Sequence, residues 1–304
     1  MIIGTLVPSG FLLDCHFFVI CMIPESEVRS EDLSTKRVGT FGEEPSAHHD
    51  KLWLAQLSRR GWAWEFLRRS PGYRAAFQRQ EASVADAAQW GLLKYEDPQR
   101  DAKDAVVFWR ADDCPGVLPL VTVRDDEYAI PVSLDFGHLI CRVDRHHHER
   151  GDKIDFLFSE ADRFLQVSIK GAASLIKDAP LMMSALENPG NVTARAASFR
   201  RFNDLMQHGH LRQTLYPREP RAPRLINVLK ALDGSLAGLP HRDIALQIFS
   251  KERVETDWGR KQHHLKDKVR RAVAYGQALM DGGYRQFLQP TYSRQIVRPV
   301  APYG

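Results

Sequence analysis

The sequence predicts an α+β fold: an N-terminal helical module, a small, mostly antiparallel β-rich centre and a C-terminal helical, helix-turn-helix-like domain. Three observations carry this. Apolar residues recur at helical spacing up to about residue 90, and short β-branched and aromatic runs replace them from 104 to about 170. Helical spacing returns beyond Pro180. With 304 residues, 43% of them hydrophobic and 26% charged, the chain has enough apolar material for cores that need no covalent staples.

Residues 1–48 are expected to be a flexible leader or the product of a mis-assigned start, with Met22 or a later codon as the alternative. The opening "MIIGTLVPSGFLLDCHFFVICM" lacks a basic flank and carries Asp14 in its middle, which argues against a signal peptide or a membrane span. Residues 49–100 form the helical module. Leu52, Trp53 and Leu57 mark one helix and Trp64, Phe66 and Leu67 a second, with a turn at Pro71 and Gly72 before Tyr73 resumes the pattern. "VADAAQWGLL" is a further short helix ending at Gly91. The aromatic cluster of Trp53, Trp62, Trp64, Phe66 and Tyr73 reads first as core. It also supplies candidates for a partner-binding surface, since so short a module has room to bury only some of them.

In the β-rich segment, 101–178, the runs "AVVFWR", "LPLVTV", "GHLICRVD", "KIDFLFS" and "RFLQVSI" are separated by Asp, Gly and Pro clusters, the pattern of strands and hairpins. The "RHHHER" run (His146, His147, His148) is expected to be an exposed loop and not a metal site. Consecutive strand residues point to opposite faces, and no cysteine or carboxylate cluster lies at ligand spacing. No metal ligand, cofactor motif or catalytic residue is expected. Phosphate loop, dinucleotide fingerprint, nucleophile elbow and HExxH are all missing from the sequence. The acids at Asp112, Asp113, Asp125, Asp126 and Glu127 read as turn residues, which sets aside a DNA-processing enzyme as the lesser alternative. Cys114 and Cys141 read as buried or incidental thiols, and the lack of any CxxC pair fits a reducing, cytoplasmic compartment.

The C-terminal domain, 179–290, is the basic part, followed by a tail at 291–304. Residues 195–288 hold 18 Lys and Arg against 9 Asp and Glu, while residues 1–194 carry −7 of a chain whose net charge is +4. An acidic front joined to a basic back points to a polyanion-binding domain tethered to something else. Three helices are expected near 222–232, 240–249 and 260–280, with Asp233 and Gly234 ending the first and Gly238 and Pro240 opening the second. In the last, Leu265, Val269, Ala272, Val273, Gly276, Leu279 and Met280 make a buried stripe, and the remainder is cationic. Arg242, Arg260, Lys261, His264, Lys266, Lys268, Arg270 and Arg271 are the candidate DNA-binding residues. Lys261, His264, Lys268 and Arg271 are spaced to share a face suited to a phosphate backbone or major groove. The "SKERVETDWG" spacer, about ten residues, departs from the usual tight turn and leaves room for an extra helical turn anchored by Trp258.

The stretch 229–288, with "ALDG" at Ala231 to Gly234, "RDIA" at Arg242 to Ala245, then Phe249, Trp258 and "LMDGGYRQFL" at Leu279 to Leu288, resembles the C-terminal helix-turn-helix domain of a bacterial family long labelled as of unknown function. "AWEFLRRSPGYRAAFQRQ", 63–80, resembles the transcriptional-regulator-like domain that accompanies it. The pairing is similar to the excision activators of integrative and conjugative elements, in which two reading frames yield one fused protein. This resemblance implies a DNA-binding transcriptional activator whose partners are promoter DNA, RNA polymerase and a small inhibitory protein, with a homo-oligomer as a further expectation and no membrane. A DNA-bending accessory factor of recombination is the alternative. Tyr284, Phe287 and Leu288 in the closing motif are expected to be core, with Gly282 and Gly283 supplying the turn.

Overall fold

The computed structural model describes residues 53–79, 84–122, 136–148, 151–171, 181–183, 191–259 and 264–290. The 1–48 leader, Asp125, Asp126 and Glu127, the 291–304 tail, Cys15 and Cys21 lie outside them. Helices α1 (Arg59–Leu67), α2 (Pro71–Arg79) and α3 (Val84–Ala88) come first, preceded by a 3-10 turn at Trp53–Gln56. Strands β1 (Leu118–Thr122), β2 (Arg142–His147), β3 (Lys153–Glu160), β4 (Arg163–Lys170) and β5 (Leu181–Met183) follow, and then α4 (Val192–His208), α5 (Ala222–Leu236), α6 (His241–Ile248), α7 (Lys251–Asp257) and α8 (His264–Met280). The α+β expectation holds. Among the described residues no helix is long and apolar enough to cross a membrane.

The five strands form one sheet in the order β2-β3-β4-β1-β5; β1 and β4 run parallel and the other neighbours antiparallel. The β3–β4 hairpin is the best-buried part, with Ile154, Phe156, Phe158, Leu165, Val167 and Ile169 on one face under Phe202 and Leu205 of α4. The opposite face is covered as well, since Asp155, Leu157, Gln166 and Ser168 are also buried, so each strand is enclosed on both sides through its middle.

Two expectations for this region are overturned. "AVVFWR" is no sheet strand. Val106 and Phe108 pack against Leu157, a single antiparallel bridge joins Trp109 to Leu92, and the N–H and carbonyl of Trp109 itself are held by a side chain. Gln166 Nε2 donates to Trp109 O (2.9 Å), and Trp109 N donates to Gln166 Oε1 (3.0 Å). A buried amide thus mimics a strand partner, and the β-like composition is satisfied without a strand. The histidine run is likewise no loop. His146 and His147 lie on β2 opposite Asp155 and Ile154, and His148 Nε2 meets the buried Asp155 Oδ2 at 2.5 Å. Among the described residues no cluster of metal-ligating side chains occurs.

The largest core joins the first described helices to the last. Leu57, Trp62, Trp64, Phe66, Leu67 and Tyr73 pack with Leu225, Leu229 and Leu232 of α5 and with Tyr284, Phe287 and Leu288 beyond α8. Because α1 is buried along Gly61–Leu67, it is a central helix and not a surface one. That answers the partner-surface reading of the aromatic cluster: Trp62, Trp64, Phe66 and Tyr73 are at most 1% exposed, so no partner can reach them. Only Trp53 is partly exposed, and Lys103 Nζ lies 4.8 Å from its ring centroid. The module buries the other four because the far end of the chain supplies the missing cover. Cys114 and Cys141 are buried and free, as read from the sequence; burial first, and Glu160 second, push the Cys141 thiol up to about 11.

Glu65 sits at the hub of this core, 0% exposed. Its Oε2 accepts from Arg68 (2.9 Å) and Arg69 (2.6 Å), and its Oε1 accepts from the backbone N–H of Ala102 (2.8 Å). Arg69 in turn reaches Asp233 of α5 at 2.5 Å. Replacing Glu65 with Ala leaves the buried Ala102 amide without its acceptor and removes one partner each from Arg68 and Arg69. The expected cost is about 3 kcal/mol, read as a lower urea midpoint at unchanged slope.

Candidate nucleic-acid interface

The C-terminal helices pack as α5 against α8, with α6 laid across both. Two glycines permit the close approach. At Gly276 of α8, an added Cβ would stand 3.0 Å from Leu232 Cβ and 3.2 Å from the carbonyl oxygen of Val228. At Gly234 of α5, it would stand 2.9 Å from Ile244 Cγ1 of α6. Gly234 is therefore a packing residue, and the expectation that Asp233 and Gly234 end the helix is corrected: α5 continues to Leu236 and closes at Gly238, whose φ is +73°.

The ten-residue spacer folds as α7. Only Phe249 and Ser250 separate α6 from α7, so the tight helix-to-helix turn lies there and not between α6 and α8. Val254, fully buried, anchors α7 to the core that also holds Ile244, Ala245, Leu265 and Val269, with Trp258 packed on it. The exposed side of α7 is close to self-neutralised, with Lys251 near Glu255 (3.9 Å) and Arg253 near Asp257 (3.9 Å). Position in the motif would make α7 the groove-reading helix, but charge favours α8.

The candidate DNA-binding residues are scattered over several faces. Lys268 and Arg271 of α8 line a groove with Arg224 and Asn227 of α5 and with Phe249 and Tyr275, and its volume is about 380 Å³. Arg224 stands over the Tyr275 ring at 5.5 Å, and Arg271 Nε donates to the carbonyl oxygen of Asp267 at 3.2 Å. Among the described residues, none of Arg224, Lys268 and Arg271 makes an ion pair. Arg270 points elsewhere and pairs with Asp267 at 3.1 Å, while Lys266 lies over the Trp258 ring at 5.5 Å. His264 is exposed at the start of α8, and Arg242 is exposed on α6. Arg260 and Lys261 lie outside the described residues. Arg224 is not among the candidates that the sequence points to, because its helix reads as core; its place within the basic stretch is the only signal for it.

Two of the acids considered for DNA processing, Asp112 and Asp113, lie among the described residues, and each pairs with an arginine. Asp112 pairs with Arg110 (2.9 Å) and Asp113 with Arg285 (3.4 Å).

Comparison with known proteins gives two matches. Residues 179–289 match the family model described as "T6SS, Transcription factor, DNA binding domain". Residues 47–93 match the "Proteobacterial transcriptional regulator-like domain". No curated protein and no solved structure matches the chain.

Gly276→Val would wedge α5 from α8 beneath the groove. The expected result is a loss of about 2 kcal/mol in unfolding free energy, together with weaker DNA binding measured by fluorescence anisotropy. The two family matches support a two-part, DNA-binding transcriptional regulator, with a regulator-like region ahead of a DNA-binding domain.

Proposed function

We propose that the protein is a transcriptional activator that holds promoter DNA along α8 and the adjoining groove, and that it controls excision or transfer genes of a mobile integrative element. The observation that carries the DNA-binding part is the groove itself: Arg224, Lys268 and Arg271 share it with no carboxylate among its lining residues. Unpaired cations gathered on one face are available to replace counterions on a phosphate backbone, whereas the paired cations of α7 are not. Asn227 provides a neutral hydrogen-bonding group in the same groove, and His264 is exposed at the start of α8.

The activating role and the mobile-element targets rest on the resemblance of 229–288 and 63–80 to excision activators. In this reading RNA polymerase, or a small inhibitory protein, meets the front half on surfaces other than the four buried aromatic residues, and the protein acts in the cytoplasm without cofactor or catalysis. The division at residues 49–100, 101–178 and 179–290 remains the working domain scheme, with one core shared across its ends.

Anisotropy titrations against salt, with promoter and scrambled DNA, test the interface. Arg224→Ala, Lys268→Ala and Arg271→Ala should each weaken binding and reduce the salt slope by about one if they contact phosphate. Lys251→Ala on α7 should do little. Equal effects on α7 and α8, or none on α8, would move the interface elsewhere. A purified transcription assay separates activation from DNA bending: the bending alternative predicts a change in excision with no change in transcript.

A further inference from the structure

A second cavity, of about 290 Å³, lies where α1, β4, α4 and the closing 3-10 turn Gly283–Phe287 come together, and it is separate from the DNA groove. Arg59, Arg60, Arg201 and Tyr216 supply its polar wall, and Phe164 and Phe287 are part of its apolar one. Arg59 is answered by Glu219 at 2.7 Å. Arg60 and Arg201 are not answered. Neither forms an ion pair among the described residues, and Arg60 Nη1 is buried with no hydrogen-bond partner. Arg201 Nε donates to the carbonyl oxygen of Leu215 (2.9 Å), and its guanidinium lies 4.8 Å from the Tyr216 ring centroid. The Tyr216 hydroxyl is also buried without a partner. Burial depresses the basicity of Arg201 and the neighbouring Arg60 adds to that, against the pull of Tyr216.

Two like charges with no carboxylate partner and a hydroxyl with no hydrogen-bond partner, all partly or wholly withdrawn from water, are costly. One group removes the cost at a stroke: an oxyanion, whose oxygens accept from guanidinium forks and from a hydroxyl. We propose that this cavity is an effector site for a small organic anion bearing a carboxylate or phosphate. Arg60 and Arg201 take the charge, Tyr216 donates to it, and the body of the ligand lies along Phe164 and Phe287. Because the walls come from the regulator-like region, the sheet and the turn that follows α8, an occupied site ties the front half to the DNA-binding helices.

The test uses the full chain without DNA, so its failure leaves the DNA-binding reading untouched. Calorimetric titrations with inorganic phosphate and with succinate, at matched ionic strength, are run on the parent and on Arg60→Gln, Arg201→Gln and Tyr216→Phe. Saturable binding of either probe is expected in the parent, weakened at least about tenfold in the arginine variants and several-fold in Tyr216→Phe. Phosphate alone, succinate alone or both identifies the preferred head group. The Lys268→Ala, Arg271→Ala double variant should bind like the parent, which separates this cavity from the groove. As a check on folding, Arg60→Gln without ligand should melt no lower than the parent, since it removes an uncompensated charge. No saturable binding of either probe at roughly 10 mM, where a millimolar site would be largely filled, or undiminished binding in Arg60→Gln and Tyr216→Phe, overturns the proposal.

Discussion

The docking of the chain's closing turn on α1 is the contact on which the rest depends. Phe287 stacks on Phe66 at 5.9 Å with the rings nearly parallel, and the Tyr284 hydroxyl donates to the carbonyl oxygen of Trp90 at 3.0 Å. Arg59 Nη2 reaches the carbonyl oxygen of Gln286 at 2.5 Å. Gly282, with φ at +115°, turns the chain back after α8 so that these side chains face inward. Without that cover α1 would expose Phe66, and burial of its tryptophans is a main favourable term available to so short a module.

Electrostatics follows the same long-range logic. Glu65 gathers Arg68 and Arg69, and Arg69 passes the connection to Asp233 on α5. Glu219, ahead of α5, joins Arg59 and Arg221; burial alone would raise its pKa, but the hydrogen bonds from Arg221 and the charge of Arg59 hold it below the usual carboxylate range. Arg69–Asp233 and Arg59–Glu219 tie α1 and the turn after it to α5 and to the segment ahead of it. The groove cations are the ones left over. Arg224 and Arg271 are not consumed by structural pairs, whereas Arg270 is. A charge count cannot make that distinction, because pairing is a property of geometry.

The sequence by itself determined the succession of regimes, helical, then β-rich, then helical, because the apolar period is a local property that each backbone conformation requires. It determined the buried stripe of α8, the basic character of the last third, and the core role of Tyr284, Phe287 and Leu288. Tertiary structure decided what lies opposite each of these. It converted "AVVFWR" from strand to extended segment through Gln166, a residue 57 positions from Trp109. It made Gly234 a packing residue because Ile244 presses on it, and it folded the spacer into α7 because Val254 finds a core to enter. It also brought Arg224 from one helix beside Lys268 and Arg271 of another, and Arg60 beside Arg201. Such encounters depend on where distant segments pack, and no local spacing encodes them.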